Sequence, residues 1–373
     1  MRNSLLLVIY ALLGIAVYRC NSAKPFHLAN VDNPEFIPNT VFIYYKDSSY
    51  PMFKVLREKY KLDTIFHGEK DEFKRILLLR NWIYKTIPVT PNGFVLKAQD
   101  TTAESILDDA LKGNSFHCAY FMIVNAEIMN ACGFLARVIN VDEGENNLPG
   151  QIAHHGTDEV WSNTYHKWFF SDAMFNLHFE KNGIPLSALE IRDEYLKNKA
   201  ADVTMVYGPD RKPVTETPDQ HHRSTEIFTR VFRWIAWFKQ QDIYSNWDNG
   251  VSYMVMYEDD YFKTHKWIRV DGKPHWAYGT PYLILVKNRK ELYWTPNTIT
   301  TELVIRDKIA SIKLNSYTPF FKTYQMKDSS NGEWKDIPGS IDITLTNNRK
   351  ILFFRTMNLQ GVAGAEYKII VES

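Results

Sequence analysis

Cysteine is scarce in this chain, whose 373 residues include three: Cys20, Cys118 and Cys132. The segment between the last two lacks glycine and proline and is rich in helix formers, which predicts one helix that ends before Gly133. At about 1.5 Å of rise per residue, the two sulfurs then lie roughly 20 Å apart. A disulfide needs Cα atoms within about 7 Å, so Cys118 and Cys132 are both expected to be unpaired.

The chain also lacks a charge imbalance. It carries 44 Lys and Arg against 43 Asp and Glu, a formal net charge of +1. No global field therefore favours nucleic acid or an anionic membrane, and we expect no nucleic-acid partner. Internal repeats, low-complexity tracts and long charge runs are missing as well. The length allows two or three domains, and 45% of the residues are hydrophobic.

The apolar run at the start of the chain is too short to cross a bilayer, which takes about 20 residues. It extends from Leu5 to Val17, after the basic Arg2. This pattern predicts a signal peptide over residues 1–23 and a secreted, periplasmic or cell-surface protein. Alternatively, Cys20 becomes a lipidated N-terminus and the protein is lipid-anchored, although the arginine before it fits that processing poorly.

Helical patterns precede Gly133 and strand patterns follow it. Residues 52–90 and the segment "TAESILDDALK" are predicted to be helices. The predicted helix between Cys118 and Cys132, called the cysteine helix below, comes next. The segments "LARVIN", "DEVWSN" and "KWFFSD" then read as strands. This order predicts an α+β domain over residues 24–208, with helices packed on an antiparallel sheet.

The remainder divides into a connecting region and a sandwich. Residues 209–287 open with a proline-rich linker, followed by a predicted amphipathic helix at about 224–241 and then strand-like sequence. Residues 288–373 alternate apolar and polar residues through several short segments separated by turns. Strands at such regular spacing predict a small β-sandwich. The last strands, which end in "FFRTMNLQGVAGAEYKIIV", resemble an immunoglobulin-like or fibronectin-like module.

Cys118 lies where a polar turn meets the cysteine helix. Asn114 and Ser115 are good N-cap residues, so we expect the helix to start there, with Cys118 in its first turn. In that position the helix dipole and free backbone N–H groups stabilise a thiolate, which suits a nucleophile. The alternative is a small buried apolar residue, the usual fate of a free cysteine.

A hairpin after the helix supplies a base and an acid. If its turn is centred on Asn163–Thr164, His155 lies opposite Asp172 on the neighbouring strand. Cross-strand Cβ atoms are about 4.5–5.5 Å apart, close enough for a carboxylate to orient an imidazole. Together with Cys118, these residues would form a thiol triad.

A metal site is the competing interpretation of the histidine-rich segment, because cysteine and histidine are common metal ligands. The histidines concerned are His117, His154, His155, His166 and His178. None of them forms a C-x₂-C or H-x₃-H pair within one element, and His154 and His155 point to opposite faces of a strand. We therefore expect neither a metal nor another cofactor.

Three blocks occur in order along roughly residues 70–200: a Cys heading a helix that ends in "ACGFLARVIN", a His four residues before Glu159–Val160, and an Asp after "KWFFS". In this order and spacing the sequence resembles the transglutaminase-like superfamily. The upstream segment "LLLRNWIYKTI" is similar to the lead helix of the family. The resemblance implies a papain-like core in which Cys118, His155 and Asp172 are catalytic.

The resemblance further implies a thioester mechanism, with the Cys118 backbone N–H in the oxyanion hole. The implied function is an exported amide hydrolase or acyltransferase that acts on a protein, peptide or glycopeptide. Two departures bear on the substrate: Phe116–His117 stand where glycine is common, and Gly156–Thr157 where alanine and an aromatic residue are common. The alternative is a catalytically inactive surface scaffold that recognises glycan or peptide. The oligomeric state stays open.

Overall fold

The computed structural model describes residues 25–44, 51–89, 101–144, 154–217, 223–239, 253–266 and 283–373. The expected signal peptide and Cys20 lie outside these ranges. Among the described residues, no helix is long and apolar enough to cross a membrane.

The chain combines helices with several sheets. The helices are α1 (Pro51–Lys59), α2 (Glu72–Thr86), α3 (Ala103–Leu111), α4 (Cys118–Ala131), α5 (Ala188–Asn198), α6 (Thr225–Thr229), α7 (Asp260–Thr264) and α8 (Arg289–Leu292), with 3₁₀ turns at Leu62–Phe66 and Arg230–Arg233. The strands before the C-terminal region are β1 (His27–Leu28), β2 (Ala136–Asp142), β3 (His154–Ser162), β4 (Lys167–Phe170), β5 (Leu177–Lys181), β6 (Ile184–Pro185), β7 (Thr204–Tyr207), β8 (Lys212–Val214), β9 (Trp234–Phe238), β10 (Met254–Tyr257) and β11 (Leu283–Val286). The later strands are β12 (Ile299–Arg306), β13 (Ile309–Ser316), β14 (Phe321–Lys327), β15 (Lys335–Ile337), β16 (Ser340–Thr344), β17 (Arg349–Asn358) and β18 (Tyr367–Glu372).

One six-stranded sheet organises the first part of the molecule. Its strand order is β11-β10-β9-β2-β3-β4, antiparallel except where β10 runs parallel to β11. Helix α4 packs on β2 and β3 on one side and contacts α1, α2 and α3 on the other. Because it is enclosed from both sides, every residue from Tyr120 to Ala131 is buried. A smaller sheet, β6-β5-β7-β8, lies after the hairpin in the chain. The expected combination of helices with antiparallel sheet is confirmed at this level.

The start of α4 differs from the prediction. The helix begins at Cys118, and His117 rather than Asn114 or Ser115 is its N-cap, with an imidazole that accepts a hydrogen bond from the Ala119 N–H. Its end agrees with the prediction, because the helix stops at Ala131 and Gly133 follows at a φ of +85°. Cys118 therefore occupies the first helical position.

The prediction of an amphipathic helix at about 224–241 is wrong after Thr229. Helix α6 ends at Thr229, and the segment Trp234–Phe238 forms β9, between β2 and β10. All five residues of β9 are buried, and a strand buried on both faces is a continuous apolar run that periodicity cannot distinguish from a helix. Strands β9, β10 and β11 thus belong to the sheet that carries His155.

The C-terminal region is mainly β, as expected from its alternation. Strands β12, β13 and β16 form one sheet, and β18, β17, β14 and β15 form another, which β1 extends at its edge. Their facing side chains form a second hydrophobic core around Ile312, Leu352 and Phe354. This region also packs on the first: the Phe320 ring lies 5.4 Å from that of Phe53.

Candidate active site

Cys118 is partly exposed at the N-terminal end of α4. The first N–H groups of a helix have no partner within the helix, so a side chain at this position lies at the positive end of the dipole. Cys132 is buried near the other end of α4, and neither cysteine is in a disulfide. The structure thus separates a thiol at the helix start from one in the core.

His155 and Asp172 are in direct contact. The distance from His155 Nε2 to Asp172 Oδ2 is 2.5 Å, and both side chains are buried. The Asp172 carboxylate also accepts hydrogen bonds from the Thr157 hydroxyl, at 3.1 Å, and from the Phe175 backbone N–H, at 2.8 Å. These donors fix the carboxylate, and its bond to Nε2 leaves Nδ1 of His155 free to face the thiol.

The register of the hairpin is two residues away from the expected one. Glu159 pairs with Phe170 and Ser162 pairs with Lys167, so the turn comprises the four residues 163–166. Continued past Phe170, this register places Thr157 rather than His155 opposite Asp172. Side-chain direction repeats every two residues along a strand, so His155 stays on the face of the carboxylate and reaches it diagonally. Thr157 takes the opposite position and supplies its hydroxyl.

The pKa values of Cys118 and His155 are shifted in the directions that favour an ion pair between them. Burial by itself raises the pKa of the Cys118 thiol, but hydrogen bonds from His117 and His155, the charge of His155 and the Gly156 N–H lower it well below its usual range. Burial lowers the pKa of His155, but the charge and hydrogen bond of Asp172, together with the interaction with Cys118, raise it overall. Both shifts favour a thiolate beside an imidazolium.

Gly156 is a site residue that sequence reasoning missed. A Cβ at this position would lie 2.8 Å from Met122 Sδ and 3.6 Å from Ala119 Cα, both on α4. The missing side chain therefore lets the first turn of α4 approach β3, where the Gly156 N–H reaches Cys118. A glycine inside a strand pattern signals such a close backbone approach.

Arg137 and Glu159, two residues of the quoted motif, form an ion pair inside the sheet. Arg137 on β2 and Glu159 on β3 are paired residues that form a fully buried ion pair, with an Nη2–Oε2 distance of 2.6 Å. Glu159 also accepts hydrogen bonds from the Trp237 indole and the Ala188 N–H, each at 2.8 Å. The residues that carried the resemblance in "LARVIN" and "DEVWSN" thus join β2, β3 and β9.

Besides His155, only His117 of these histidines interacts with the thiol among the described residues. His154 is exposed beside Asp142, and His166 lies in the hairpin turn. His178 is buried between Arg80 and Glu180, and burial, the largest influence, lowers its pKa to about 4. Among the described residues, no group of three or more His, Cys, Asp or Glu side chains could hold a metal ion.

The site therefore consists of a helix-terminal thiol on α4, an imidazole on β3 and a buried carboxylate just after β4. Such a chain of groups can generate a nucleophile and move a proton. No protein-family model matches the chain, and no curated protein matches it significantly.

Proposed function

We propose that the protein is a cysteine-dependent amide hydrolase or acyltransferase of the transglutaminase-like superfamily, with a papain-like core and an immunoglobulin-like C-terminal sandwich. The observation that carries the proposal is the continuous arrangement of Cys118, His155 and Asp172, with the 2.5 Å contact between the last two. Its substrate class is an amide of a protein, peptide or glycopeptide. From the apolar N-terminal run we propose that it acts outside the cytoplasm.

In the first half-reaction, the Cys118 thiolate attacks the carbonyl carbon of the substrate amide. The resulting oxyanion accepts a hydrogen bond from the Cys118 backbone N–H, which is unpaired within the helix. The C–N bond then breaks, and the His155 imidazolium gives its proton to the departing amine. The products are a free amine and a thioester on Cys118, with His155 neutral.

In the second half-reaction, neutral His155 removes a proton from water, and the hydroxyl attacks the thioester. The C–S bond breaks, releasing a carboxylic acid and restoring the thiolate and the imidazolium. An amine in place of water would give a new amide instead. Hydrolysis is the default outcome, because transfer requires an amine site and the exclusion of water.

Asp172 orients His155 throughout. Its bond to Nε2 fixes the ring so that Nδ1 faces Cys118, and its charge stabilises the imidazolium. Thr157 and the Phe175 N–H hold the carboxylate in turn. Asp172 therefore acts through His155, and His155 alone exchanges protons with the reactants.

Thiol labelling with iodoacetamide at pH 6 tests the proposal without knowledge of the substrate. An ordinary thiol with a pKa near 8.5 is only about 0.3% thiolate at this pH. The lowered pKa of Cys118 makes the thiolate fraction far larger, although the weaker nucleophilicity of an acidic thiol offsets part of this gain. We expect Cys118 to be labelled at least about tenfold faster than a free cysteine peptide.

Cys132 is the internal control, because burial raises its pKa to about 12 and it should react only after denaturation. His155→Gln should bring labelling of Cys118 down to the ordinary rate. Amide hydrolysis and amine incorporation by wild type and Cys118→Ala complete the test. If Cys118 in the folded wild type reacts as slowly as Cys132, the chain is instead a binding scaffold.

A further inference from the structure

A second carboxyl group lies buried behind the triad. Asp158 is on β3 and Asn125 is on α4, two helical turns from Cys118. Their side chains are 1% and 0% exposed, and the Asn125 amide nitrogen donates to Asp158 Oδ2 at 2.9 Å. The pair therefore joins the helix of the nucleophile to the strand of His155.

The remaining oxygens of this pair have no donor among the described residues. Asp158 Oδ1 and Asn125 Oδ1 are both buried and without a hydrogen bond. Two acceptors cannot bond to each other, and a buried polar atom without a partner destabilises the folded state. A proton on Asp158 removes the difficulty, because a carboxylic acid and a primary amide form a cyclic pair of two hydrogen bonds.

The charges around Asp158 favour the same state. The ionised form would have one neutral amide as its donor, in a place without access to water. Burial raises the pKa of Asp158 well above its usual range, and the negative charge of Asp172 raises it further. The Asn125 hydrogen bond and the charge of His155 act in the opposite direction and do not reverse it.

We infer that Asp158 is a neutral carboxylic acid at physiological pH, joined to Asn125 by two hydrogen bonds, and that this pair holds the strand of His155 against the helix of Cys118. Asp158 is thus a positioning residue. Its neutrality leaves Asp172 as the charged partner of His155. The protonation state stands on the geometry of the pair, whereas the positioning role rests on the proposed function.

Asp158→Asn is the decisive variant, because an amide reproduces both hydrogen bonds of the neutral acid. We expect the labelling rate of Cys118 to stay within about twofold of wild type between pH 6 and 8. A carboxyl group with a raised pKa loses stabilisation as pH rises above its unfolded value of about 3.9. The melting temperature of Asp158→Asn should therefore gain on wild type as pH rises from 4.5 to 8.

Infrared difference spectra supply the direct measurement. Wild type minus Asp158→Asn at pH 7 should show the carbonyl stretch of a protonated carboxyl group, with a shift in D₂O. Asp158→Leu, which keeps the volume and loses both bonds, should melt lower and label more slowly. The inference is overturned if the band is absent, or if Asp158→Asn slows labelling as much as Asp172→Asn does.

These outcomes are separable from a failure of the proposed function. If Cys118→Ala retains amide hydrolysis, the triad is wrong, yet the infrared band still reports the proton on Asp158. If the band is absent while Cys118→Ala is inactive, the thiol mechanism stands and the neutral pair does not.

Discussion

The buried ion pair between Arg137 and Glu159 gives the sharpest test of how the site is held. Both side chains are 0% exposed, and two hydrogen bonds, at 2.6 and 2.8 Å, join the Arg137 guanidinium to Glu159 Oε2. Arg137 also bonds to the Leu292 carbonyl oxygen and lies 4.3 Å from the Trp168 ring centroid. Arg137→Met removes the cation but keeps the approximate length of the apolar stem.

The expected cost follows from the charge that the substitution leaves behind. Removing one partner of a buried pair typically costs about 3–5 kcal/mol, because the other charge stays buried without compensation. Glu159 keeps its bonds from Trp237 and Ala188, so we expect the lower half of this range, about 3–4 kcal/mol. With a urea slope of about 3 kcal/mol/M, the unfolding midpoint should fall by about 1 M.

Urea denaturation followed by tryptophan fluorescence measures this change, since Trp237 contacts Glu159 directly. Lys313→Met is the matched control, because its partner Glu302 is on the surface and the loss should be small. Arg137→Met/Glu159→Leu should recover much of the stability, since neither charge remains buried. If Arg137→Met shifts the midpoint no more than Lys313→Met, the pair does not hold β2 to β3 as reasoned.

Three further predictions concern the site itself. Thr157→Val removes a hydroxyl donor from the triad carboxylate, and we expect about tenfold lower activity at a nearly unchanged melting temperature, measured by amide hydrolysis and thermal unfolding. Gly156→Ala places a methyl group against Met122, and it should slow thiol labelling and lower the free energy of unfolding by about 1–3 kcal/mol. The second substitution Met122→Ala in the same chain should restore part of the labelling rate and part of the stability. If it restores neither, the close approach of α4 to β3 at Gly156 is not the cause. Cys118→Ala should abolish activity with little loss of stability, whereas Cys132→Ala should leave activity intact and destabilise mildly, because Cys132 is buried. A melting temperature that falls far more for Cys118→Ala than for Cys132→Ala would instead identify Cys118 as a core residue.

The sequence alone predicted the elements that carry the site. A helix between Cys118 and Cys132 that ends before Gly133 was readable because helix formers run without interruption and glycine ends them, although its start was expected a few residues earlier. The hairpin was readable because two alternating segments flank a turn. Even an error of two residues in its register kept His155 and Asp172 on one face, since the side-chain period of a strand is two.

Tertiary structure decided what local pattern could not. The segment Trp234–Phe238 has helical spacing, but its place between β2 and β10 makes it a strand buried on both faces. The His117 cap depends on the side chain folding back onto the Ala119 N–H. Both outcomes are set by partners that are distant in sequence or by a side-chain conformation, and neither is encoded in periodicity.

The electrostatic assignments depend on tertiary structure in the same way. The sequence alone does not distinguish Asp158 from Asp172, since both are carboxyl groups associated with the two arms of one hairpin. In the fold, Asp172 meets an imidazole, a hydroxyl and a backbone N–H, whereas Asp158 meets one amide. The number of donors around a buried carboxyl group influences whether it carries a charge. Packing of α4 on β3 sets that number for Asp158, whereas pairing of the hairpin arms brings His155 and Thr157 to Asp172.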